Sequence, residues 1–247
     1  MSRVAVVTGA ASGIGLGVAR SFVEDGHRGA LLDRDGAGAA AAAEELTAAG
    51  GKVVAVETDV ADRASVDAAF ARTRAELGPV EILVTSAGIE SFLPVGEITA
   101  EVWDRIIAVN LTGTFSCAQA VIPDMLAAGW GRIVTISSSS AQSGAPNMAH
   151  YVASKGGVIA LTKALAVELA RSGVTVNTIP PSLVDTPMVH EAEARGDFPG
   201  VAVIGPMVPL GRAGTPADIA AACSFLCGDG GSYITGQVIG VNGGMYI

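Results

Sequence analysis

A tyrosine and a lysine stand four residues apart in the segment MAHYVASKGG, residues 148–157. On a helix, this spacing puts the side chains of Tyr151 and Lys155 on one face, one turn apart. One interpretation is a phenol that exchanges a proton with a substrate, because a nearby ammonium lowers a phenol pKa from its usual value of about 10. The other is a boundary helix whose two amphipathic side chains reach water. The rest of the chain must decide between them.

A glycine-rich turn, TGAASGIG at residues 8–15, follows an apolar strand-like segment and opens a helical one. Gly9 permits the tight turn, and Gly13 and Gly15 let the backbone come close to a ligand. The helix then presents free N–H groups and the positive end of its dipole, which suit a pyrophosphate. Because this strand–turn–helix context is the one that such a motif requires, we predict a dinucleotide-binding turn.

Asp33 ends the second strand-like segment, eighteen residues after Gly15. A carboxylate at this position accepts hydrogen bonds from both hydroxyls of an adenosine ribose and repels a 2'-phosphate. Arg34, which comes next, favours that phosphate instead, but the glycine turn itself carries Ser12 rather than a basic residue. Together these residues favour NAD over NADP as the cofactor.

The elements that must position these residues alternate along the chain. Short apolar runs rich in β-branched residues predict buried parallel strands at 4–8, 30–33, 52–58, 81–85, 131–137, 174–179 and 237–241. Helical patterns lie between them, near 13–25, 36–49, 62–77, 99–128, 150–172 and 216–228. The alternation predicts an α/β fold: a single Rossmann-type domain over residues 1–247, with a doubly wound parallel sheet of about seven strands and helices on both faces.

Residues 186–215 interrupt the alternation with an irregular segment that contains four prolines and five glycines. Long segments of this kind are usually functional lids or mobile loops. We predict a substrate lid, and the alternative is an ordered loop at an oligomer contact. The charged half of the segment is 191–197. Its apolar half favours a hydrophobic substrate and contains Val201, Ala202, Val203, Ile204, Met207 and Val208.

In their joint order and spacing, these motifs resemble the short-chain dehydrogenase/reductase family along essentially the whole chain. The glycine turn is similar to the family's TGxxxGIG motif, and YVASK (151–155) is similar to its YxxxK motif. Five further segments resemble its adenine-contacting, NNAG, asparagine, serine and C-terminal motifs: TDV (58–60), SAG (86–88), AVNLTGTF (108–115), ISSSS (136–140) and ITGQVIGVNGG (234–244). The likeness is to the branch of 3-oxoacyl-thioester reductases and hydroxysteroid dehydrogenases.

The resemblance implies a catalytic tetrad of Asn110, Ser138, Tyr151 and Lys155. Tyr151 exchanges the proton of the substrate oxygen, and Lys155 supplies a charge beside the phenol and holds the nicotinamide ribose. Ser138 lies past a predicted strand end, where its hydroxyl can bond the reacting oxygen as charge develops.

Two of these assignments leave alternatives open. Residues 137–140 are four consecutive serines, and Ser139 is the next candidate after Ser138. Asn110 interrupts an apolar helical segment. It can anchor a water that passes protons to Lys155, or it can bond the backbone of a helix kink.

The resemblance also implies which residues hold the cofactor. They are Gly9, Ser12, Gly13, Ile14, Gly15, Asp33, Arg34, Asp59, Val60, Ala87, Gly88, Tyr151, Lys155, Pro181, Val184 and Thr186. Two motifs depart from the family's pattern. NNAG reads TSAG here (85–88), which removes two amide side chains, and the PG after the sixth strand reads PPS, where Ser182 must avoid or strain into a positive φ.

Composition excludes some classes of partner. The net charge of -9 argues against nucleic-acid binding, which needs a basic surface. The uncharged run at 106–123 contains several polar residues, so we interpret it as a buried helix rather than a membrane span. The three cysteines form no CxxC pair and lack further zinc ligands. We therefore expect no metal site, no disulfide framework and a cytoplasmic location.

The sequence thus predicts an NAD-dependent oxidoreductase that interconverts a secondary alcohol and a ketone by hydride transfer, with Tyr151 as general acid and base. The expected substrates are a hydroxysteroid, a cyclic alcohol or a 3-hydroxyacyl thioester. The alternatives are a non-catalytic dinucleotide-binding sensor or scaffold on the same fold, and an NADPH-dependent 3-oxoacyl-thioester reductase. The resemblance also implies a homotetramer built on the helices at 99–128 and 150–172 and on the C-terminal strand, with Ala160, Ala164 and Ala166 on the outer helix face.

Overall fold

The computed structural model describes residues 2–247 of the chain. Its strands are β1 (Val4–Thr8), β2 (Arg28–Asp33), β3 (Val53–Glu57), β4 (Ile82–Thr85), β5 (Gly131–Ile136) and β6 (Val174–Ile179). Its helices are α1 (Gly13–Glu24), α2 (Gly36–Ala48), α3 (Arg63–Leu77), α4 (Ala100–Ile107), α5 (Gly113–Ala128), α6 (Ser140–Ser143), α7 (Ala149–Leu169), α8 (Pro187–Arg195), α9 (Val201–Ile204) and α10 (Pro216–Cys227).

The six strands form one parallel sheet in the order β3-β2-β1-β4-β5-β6. The chain builds outward from β1 to β3 and then returns to place β4 on the other side of β1. At such a reversal the connections after the two central strands diverge, which leaves a crevice outside their carboxyl ends. The predicted α/β doubly wound fold is confirmed.

Each face of the sheet has its own hydrophobic core. Helices α3, α5 and α7 cover one face through side chains such as Phe70, Val121 and Leu165. Helices α1, α2 and α10 cover the other through side chains such as Phe22 and Leu226. Strands β1, β5 and β6 are buried along their whole length. This burial on both faces explains the near-continuous apolar runs from which the strands were predicted.

The segment predicted as a seventh strand, 237–241, pairs with the sheet only through isolated bridges. Val238 pairs with Thr178, and Val241 pairs with Pro181. The Thr178 N–H donates to the Gln237 carbonyl (3.0 Å), and the Ile239 N–H donates to the Thr178 carbonyl (2.9 Å). The next rung needs an N–H from residue 180, which is a proline. Because proline has no N–H, the ladder stops there.

The helix predicted over 99–128 is divided by one turn of π-helix. Helix α4 passes into a π-helical turn at Ala108–Thr112, and α5 follows without a break. Extra residues of this kind widen a helix locally and often lie at functional sites. The stretch Ala100–Ala128 is long and apolar enough to cross a membrane by length and composition alone, but half of its apolar window is buried inside the protein.

Two further predictions need correction. The segment 186–215 is not irregular throughout, because it contains α8, α9 and a 3-10 turn. Helix α8 has Pro187 in its first turn and ends at Gly196, which has a positive φ of 79°, and both residues are favourable at those positions. On α7, Ala160 and Ala164 are exposed as predicted, whereas Ala166 is buried in the core.

Candidate active site

A cavity of about 890 Å³ lies at the carboxyl edge of the sheet, above the point where the strand order reverses. It extends from the glycine turn after β1 to helix α8. Every residue predicted to hold a cofactor lines it, and so does Ser138. The structure therefore brings together groups that are spread over residues 9–186 of the sequence.

The glycine turn is packed so closely that side chains cannot fit. Gly9 has a φ of +67°, and a Cβ added there would lie 2.8 Å from backbone atoms of Ala87. A Cβ on Gly15 would lie 2.0 Å from the Gly9 carbonyl oxygen. Helix α1 begins directly after Ser12, whose side chain makes no capping hydrogen bond. The first N–H groups of α1 are thus left to interact with an anion in the cavity.

Asp33 joins the end of β2 to the glycine turn. Its Oδ2 accepts a hydrogen bond from the Ala11 N–H (2.9 Å), and its Oδ1 accepts one from the Asp35 N–H (2.9 Å). A carboxylate has about four acceptor positions, so both oxygens keep one for a ligand. Arg34 follows and is exposed at the rim of the cavity.

The TDV segment forms the neighbouring wall. The Thr58 N–H donates to the Asp33 carbonyl (2.7 Å) and ties the segment to β2. Asp59 accepts a hydrogen bond from the Ala61 N–H at 2.9 Å and a longer one from Arg105 at 3.4 Å. Val60 is buried but reaches the cavity. This wall therefore has an apolar surface beside a fixed carboxylate.

Ser138, Tyr151 and Lys155 meet in the middle of the cavity. Lys155 is 5% exposed, and its ammonium lies 5.8 Å from the centre of the Tyr151 ring. It donates a hydrogen bond to the Ile136 carbonyl at 3.0 Å. The Ser138 hydroxyl bonds the Ser140 hydroxyl at 2.8 Å and lies close enough to the Tyr151 phenol to lower its pKa, whereas Ser137 faces the core and bonds Thr178. The geometry thus favours Ser138 over its serine neighbours as the partner of the phenol.

Burial controls the protonation of this group. The pKa of Tyr151 is raised to about 12, chiefly by burial and also by the charge of Glu90, while the nearby Ser138 hydroxyl acts to lower it. Burial also lowers the pKa of Lys155 to about 8. Among these residues, the loss of water around the phenol is therefore the largest influence on the Tyr151 pKa, and the lowering of that pKa by Lys155 stays a prediction.

Asn110 lies behind the cavity wall rather than in it. Its side chain is fully buried, accepts from the Ile89 N–H (2.9 Å) and donates to the Ile89 carbonyl (3.0 Å) and to Ser154 (3.0 Å). Its own carbonyl accepts from Thr114 (2.8 Å). Of the two roles considered for Asn110, the structural one describes what its side chain does. The role of Asn110 in anchoring a water that passes protons to Lys155 stays a prediction.

Gly88 separates Asn110 from Lys155. A Cβ added at Gly88 would lie 3.3 Å from Lys155 Nζ and 3.4 Å from Asn110 Oδ1. The absence of a side chain at this position leaves the buried ammonium accessible from the cavity. Space, rather than an unusual backbone conformation, therefore favours glycine at position 88.

The two departures from the family's motifs have local consequences. In TSAG, Thr85 lies at the end of β4 with its hydroxyl buried and without a hydrogen-bond partner, and Ser86 lines the cavity. In PPS, Ser182 avoids a positive φ, since Asn147 alone among the non-glycine residues of 2–247 has one. The segment continues through Val184, which bridges to Gly214.

The end of the cavity beyond Tyr151 carries both apolar and charged side chains. Six apolar residues of 201–208 were predicted to face a substrate. Of these, only Ile204 lines this end of the cavity. The other apolar residues of this end include Phe92, Met188, Phe198 and Met245. The charged ones are Glu90, Glu191, Arg195 and Asp197.

Sequence reasoning missed Glu90 and gave His150 no role. Glu90 stands two residues after the SAG motif, and a single carboxylate inside an otherwise uncharged stretch was the available signal. His150 is fully buried, and its Nε2 lies 2.6 Å from the Ser91 hydroxyl. Among residues 2–247, no group of three or more histidines, cysteines, aspartates or glutamates is arranged to hold a metal ion.

Comparison with known proteins gives consistent results. A family profile described as Enoyl-(Acyl carrier protein) reductase matches residues 9–246. D-threitol dehydrogenase of Mycolicibacterium smegmatis is 41% identical over 247 residues, which cover 99% of this chain and 93% of that protein. Cis-4-hydroxycyclohexanecarboxylate dehydrogenase of Sinomonas cyclohexanicum is 41% identical, over 98% of this chain and 96% of that protein.

A solved structure agrees with these relatives. The crystal structure of 3-ketoacyl-(acyl-carrier-protein) reductase from Brucella melitensis complexed with NADH superposes with a TM-score of 0.90 at 34% identity and covers 99% of this chain and 98% of that one. Sequence identity, coverage and fold all agree with the motifs described above. The chain belongs to the short-chain dehydrogenase/reductase family.

Proposed function

We propose that the protein is an NAD-dependent oxidoreductase that interconverts a secondary alcohol and a ketone. One observation carries the proposal: a single cavity joins a close-packed glycine turn and Asp33 to the group formed by Ser138, Tyr151 and Lys155. Relatives that act on an alcohol or a ketone support the same reaction class.

The cavity fits a nicotinamide dinucleotide. The glycine turn leaves no room for a Cβ at Gly9 or Gly15, and it lies beside the start of α1, which has no side-chain cap. Exposed backbone N–H groups at such a turn suit a pyrophosphate. The free acceptor positions of Asp33 suit ribose hydroxyls, and Lys155 keeps two N–H donors beyond its bond to Ile136. When bound, the nicotinamide ring accepts or donates the hydride and, in its oxidised form, adds a positive charge that favours the phenolate.

The side chains of the protein then transfer one proton to and from the substrate oxygen. Tyr151 takes the proton of the substrate hydroxyl during oxidation and returns it during reduction. Ser138 hydrogen-bonds the same substrate oxygen and keeps the phenol oriented. Lys155 favours the phenolate and holds the ribose hydroxyls. Lys155 is buried, and Ser138 and Tyr151 are half-buried, so the cavity limits the access of bulk water and strengthens each of these interactions.

The test is turnover of purified protein with NAD and a panel of secondary alcohols, monitored by the absorbance of the reduced cofactor. We expect turnover by the wild type and a loss of at least about 100-fold in Tyr151→Phe. The control is Tyr233→Phe, because Tyr233 is 102% exposed and lies outside the cavity. Equal rates in wild type and Tyr151→Phe would overturn the mechanism.

Asp33 supports a preference for NAD over NADP. Its carboxylate repels a 2'-phosphate, and we expect kcat/KM to favour NAD by about ten-fold or more. Asp33→Asn keeps an acceptor for the Ala11 N–H but loses the charge, so this ratio should fall. The control is Asp62→Asn, since Asp62 caps α3 away from the cavity and asparagine caps equally well. An unchanged ratio in Asp33→Asn would contradict the assignment.

An NADPH-dependent 3-oxoacyl-thioester reductase is the second candidate. The reductase from Brucella melitensis and the description of the matching family profile favour it. A panel that contains 3-hydroxyacyl thioesters, hydroxysteroids and cyclic alcohols separates the two candidates. Tight cofactor binding without turnover on any of these would instead favour a sensor or scaffold.

We further propose a cytoplasmic homotetramer formed by single-domain chains whose segment 186–215 acts as the substrate lid. Three buried free cysteines suit a reducing compartment. Exposed apolar side chains suit subunit contacts: Trp103 and Phe115 lie on α4 and α5, Val167 lies on α7, and Ile247 ends the chain.

A further inference from the structure

The segment 89–93 crosses the cavity wall and is fixed at alternate residues. Asn110 bonds both the N–H and the carbonyl of Ile89, at 2.9 and 3.0 Å. His150 bonds the hydroxyl of Ser91 at 2.6 Å. The Leu93 N–H donates to the Asn147 carbonyl at 2.7 Å. These three anchors fix the backbone on both sides of residues 90 and 92.

The intervening residues, Glu90 and Phe92, both line the cavity. Their anchors are rigid, because Asn110 and His150 are fully buried and belong to helical turns. His150 directly precedes Tyr151 on α7, so the segment is positioned relative to the phenol itself. The structure thus holds one carboxylate and one aromatic ring at fixed places beside the reacting centre.

The Glu90 carboxylate has no protein partner that explains its burial. Burial raises its pKa, Arg195 lowers it, and Asp197 and Glu191 raise it, with no hydrogen bond contributing among residues 2–247. The Arg195 guanidinium bonds Asp197 at 2.8 Å rather than Glu90. The cavity end therefore holds three carboxylates against one guanidinium. Within residues 2–247, the side chains of Glu90 and Glu191 accept no hydrogen bond, and of these two Glu191 is exposed whereas Glu90 is half-buried.

We propose that Glu90 is a specificity-determining residue that selects neutral substrates with a second hydroxyl group next to the reacting carbon, such as diols and larger polyols. This rests on the proposed function. An ionised carboxylate only accepts hydrogen bonds, and a substrate hydroxyl supplies the donor that Glu90 lacks. A purely hydrocarbon substrate would bury the charge without compensation. An anionic substrate would meet the excess negative charge.

The test compares kcat/KM for a matched pair of alcohols, 2,3-butanediol and 2-butanol, in wild type and Glu90→Gln. We expect the diol-to-monool ratio to fall about ten-fold or more in Glu90→Gln, because hydrogen bonds to charged groups contribute about 1.5–3 kcal/mol. The control is Glu97→Gln, since Glu97 is exposed and lies outside the cavity. Turnover of 2-butanol with an unchanged ratio would overturn the role of Glu90 and leave the proposed function standing.

A second measurement does not depend on turnover. Calorimetric titration of 2,3-butanediol and 2-butanol into the NAD complex of Tyr151→Phe gives binding affinities for both alcohols. Adding Glu90→Gln should weaken the binding of 2,3-butanediol more than the binding of 2-butanol. Equal effects on the two alcohols would overturn the proposal, even if wild-type protein oxidised neither of them and the proposed function had failed.

Discussion

At the scale of single residues, burial of Lys155 is unfavourable for folding, whereas the proposed reaction uses its buried charge. Its ammonium is buried and makes one hydrogen bond to a protein carbonyl. Burial lowers its pKa to about 8 from the usual 10.5. Below pH 8 the folded protein therefore carries the full cost of a buried charge. Between pH 8 and 10.5 the unfolded chain holds a proton that the folded one has released, so this cost declines as pH rises.

We predict that Lys155→Met abolishes turnover and makes the protein more stable at pH 7. The expected gain in free energy of unfolding is about 1–2 kcal/mol, less than the full desolvation cost because the Ile136 carbonyl loses its donor. Urea denaturation at pH 7 measures it. The control is Lys163→Met on an exposed position of α7. A Lys155→Met protein less stable than wild type would contradict this account of the site.

His150 gives a second prediction at this scale. Burial lowers its pKa. The unfolded chain takes up a proton near pH 6.5, whereas the folded chain does so only at lower pH, and stability should therefore fall as pH drops below 6.5. His27, whose pKa burial also lowers, adds to this slope.

We expect His150→Asn to flatten the pH dependence of the free energy of unfolding between pH 6.5 and 5.5, by up to about 1 kcal/mol. Denaturation curves at several pH values measure it, and His190→Asn on the exposed side of α8 is the control. The same slope in wild type and His150→Asn would show that His150 is not held neutral by burial.

At the scale of elements, the glycine turn depends on contacts that only glycine allows. A Cβ at Gly15 would overlap the Gly9 carbonyl, which lies 2.0 Å away. Backbone cannot move aside as a flexible side chain can, so the turn and the start of α1 must shift together. That shift would also displace the N–H groups that face the cavity.

We predict that Gly15→Ala lowers the free energy of unfolding by about 1–3 kcal/mol and weakens NAD binding at least about ten-fold. Thermal unfolding and calorimetric titration with NAD measure the two effects. Gly96→Ala is the control, since a Cβ there meets nothing within 4 Å. Normal NAD affinity in a folded Gly15→Ala protein would show that the turn does not hold the cofactor.

Some element boundaries follow from the sequence and others depend on contacts. Apolar runs predicted β1 to β6 because both sheet faces are covered, a condition visible in composition. The π-helical turn at 108–112 lies within an apolar helical pattern, and the partners that hold Asn110 there, Ile89 and Ser154, are distant in sequence. The helix α8 had start and stop signals in Pro187 and Gly196, but they were outweighed by the high content of both residue types in the segment.

At the scale of the whole molecule, the fold explains which site residues could be predicted. Motifs next to strand ends, such as the glycine turn and Asp33, converge wherever the strands are parallel, so sequence order alone places them together. Glu90 could not be placed in this way. Its direction depends on hydrogen bonds from Asn110 and His150, which lie on two different helical elements.

We predict that the protein is a homotetramer in solution. Apolar side chains are exposed on α4, α5 and α7 and at the C-terminus. Contacts between subunits would remove them from water. Light scattering should give four times the chain mass of 24.6 kDa, and Val167→Glu, at a position 84% exposed, should lower it. A mass of one chain for the wild type would overturn this assembly.

The most direct test of the central claim uses a secondary alcohol with deuterium on its carbinol carbon. With NAD, we expect the wild-type protein to transfer the label to the reduced cofactor, detected by mass spectrometry. We expect Tyr151→Phe to do so at least about 100-fold more slowly, while Tyr233→Phe matches wild type. Reduced cofactor without the label, or equal rates of labelling in wild type and Tyr151→Phe, would contradict the account.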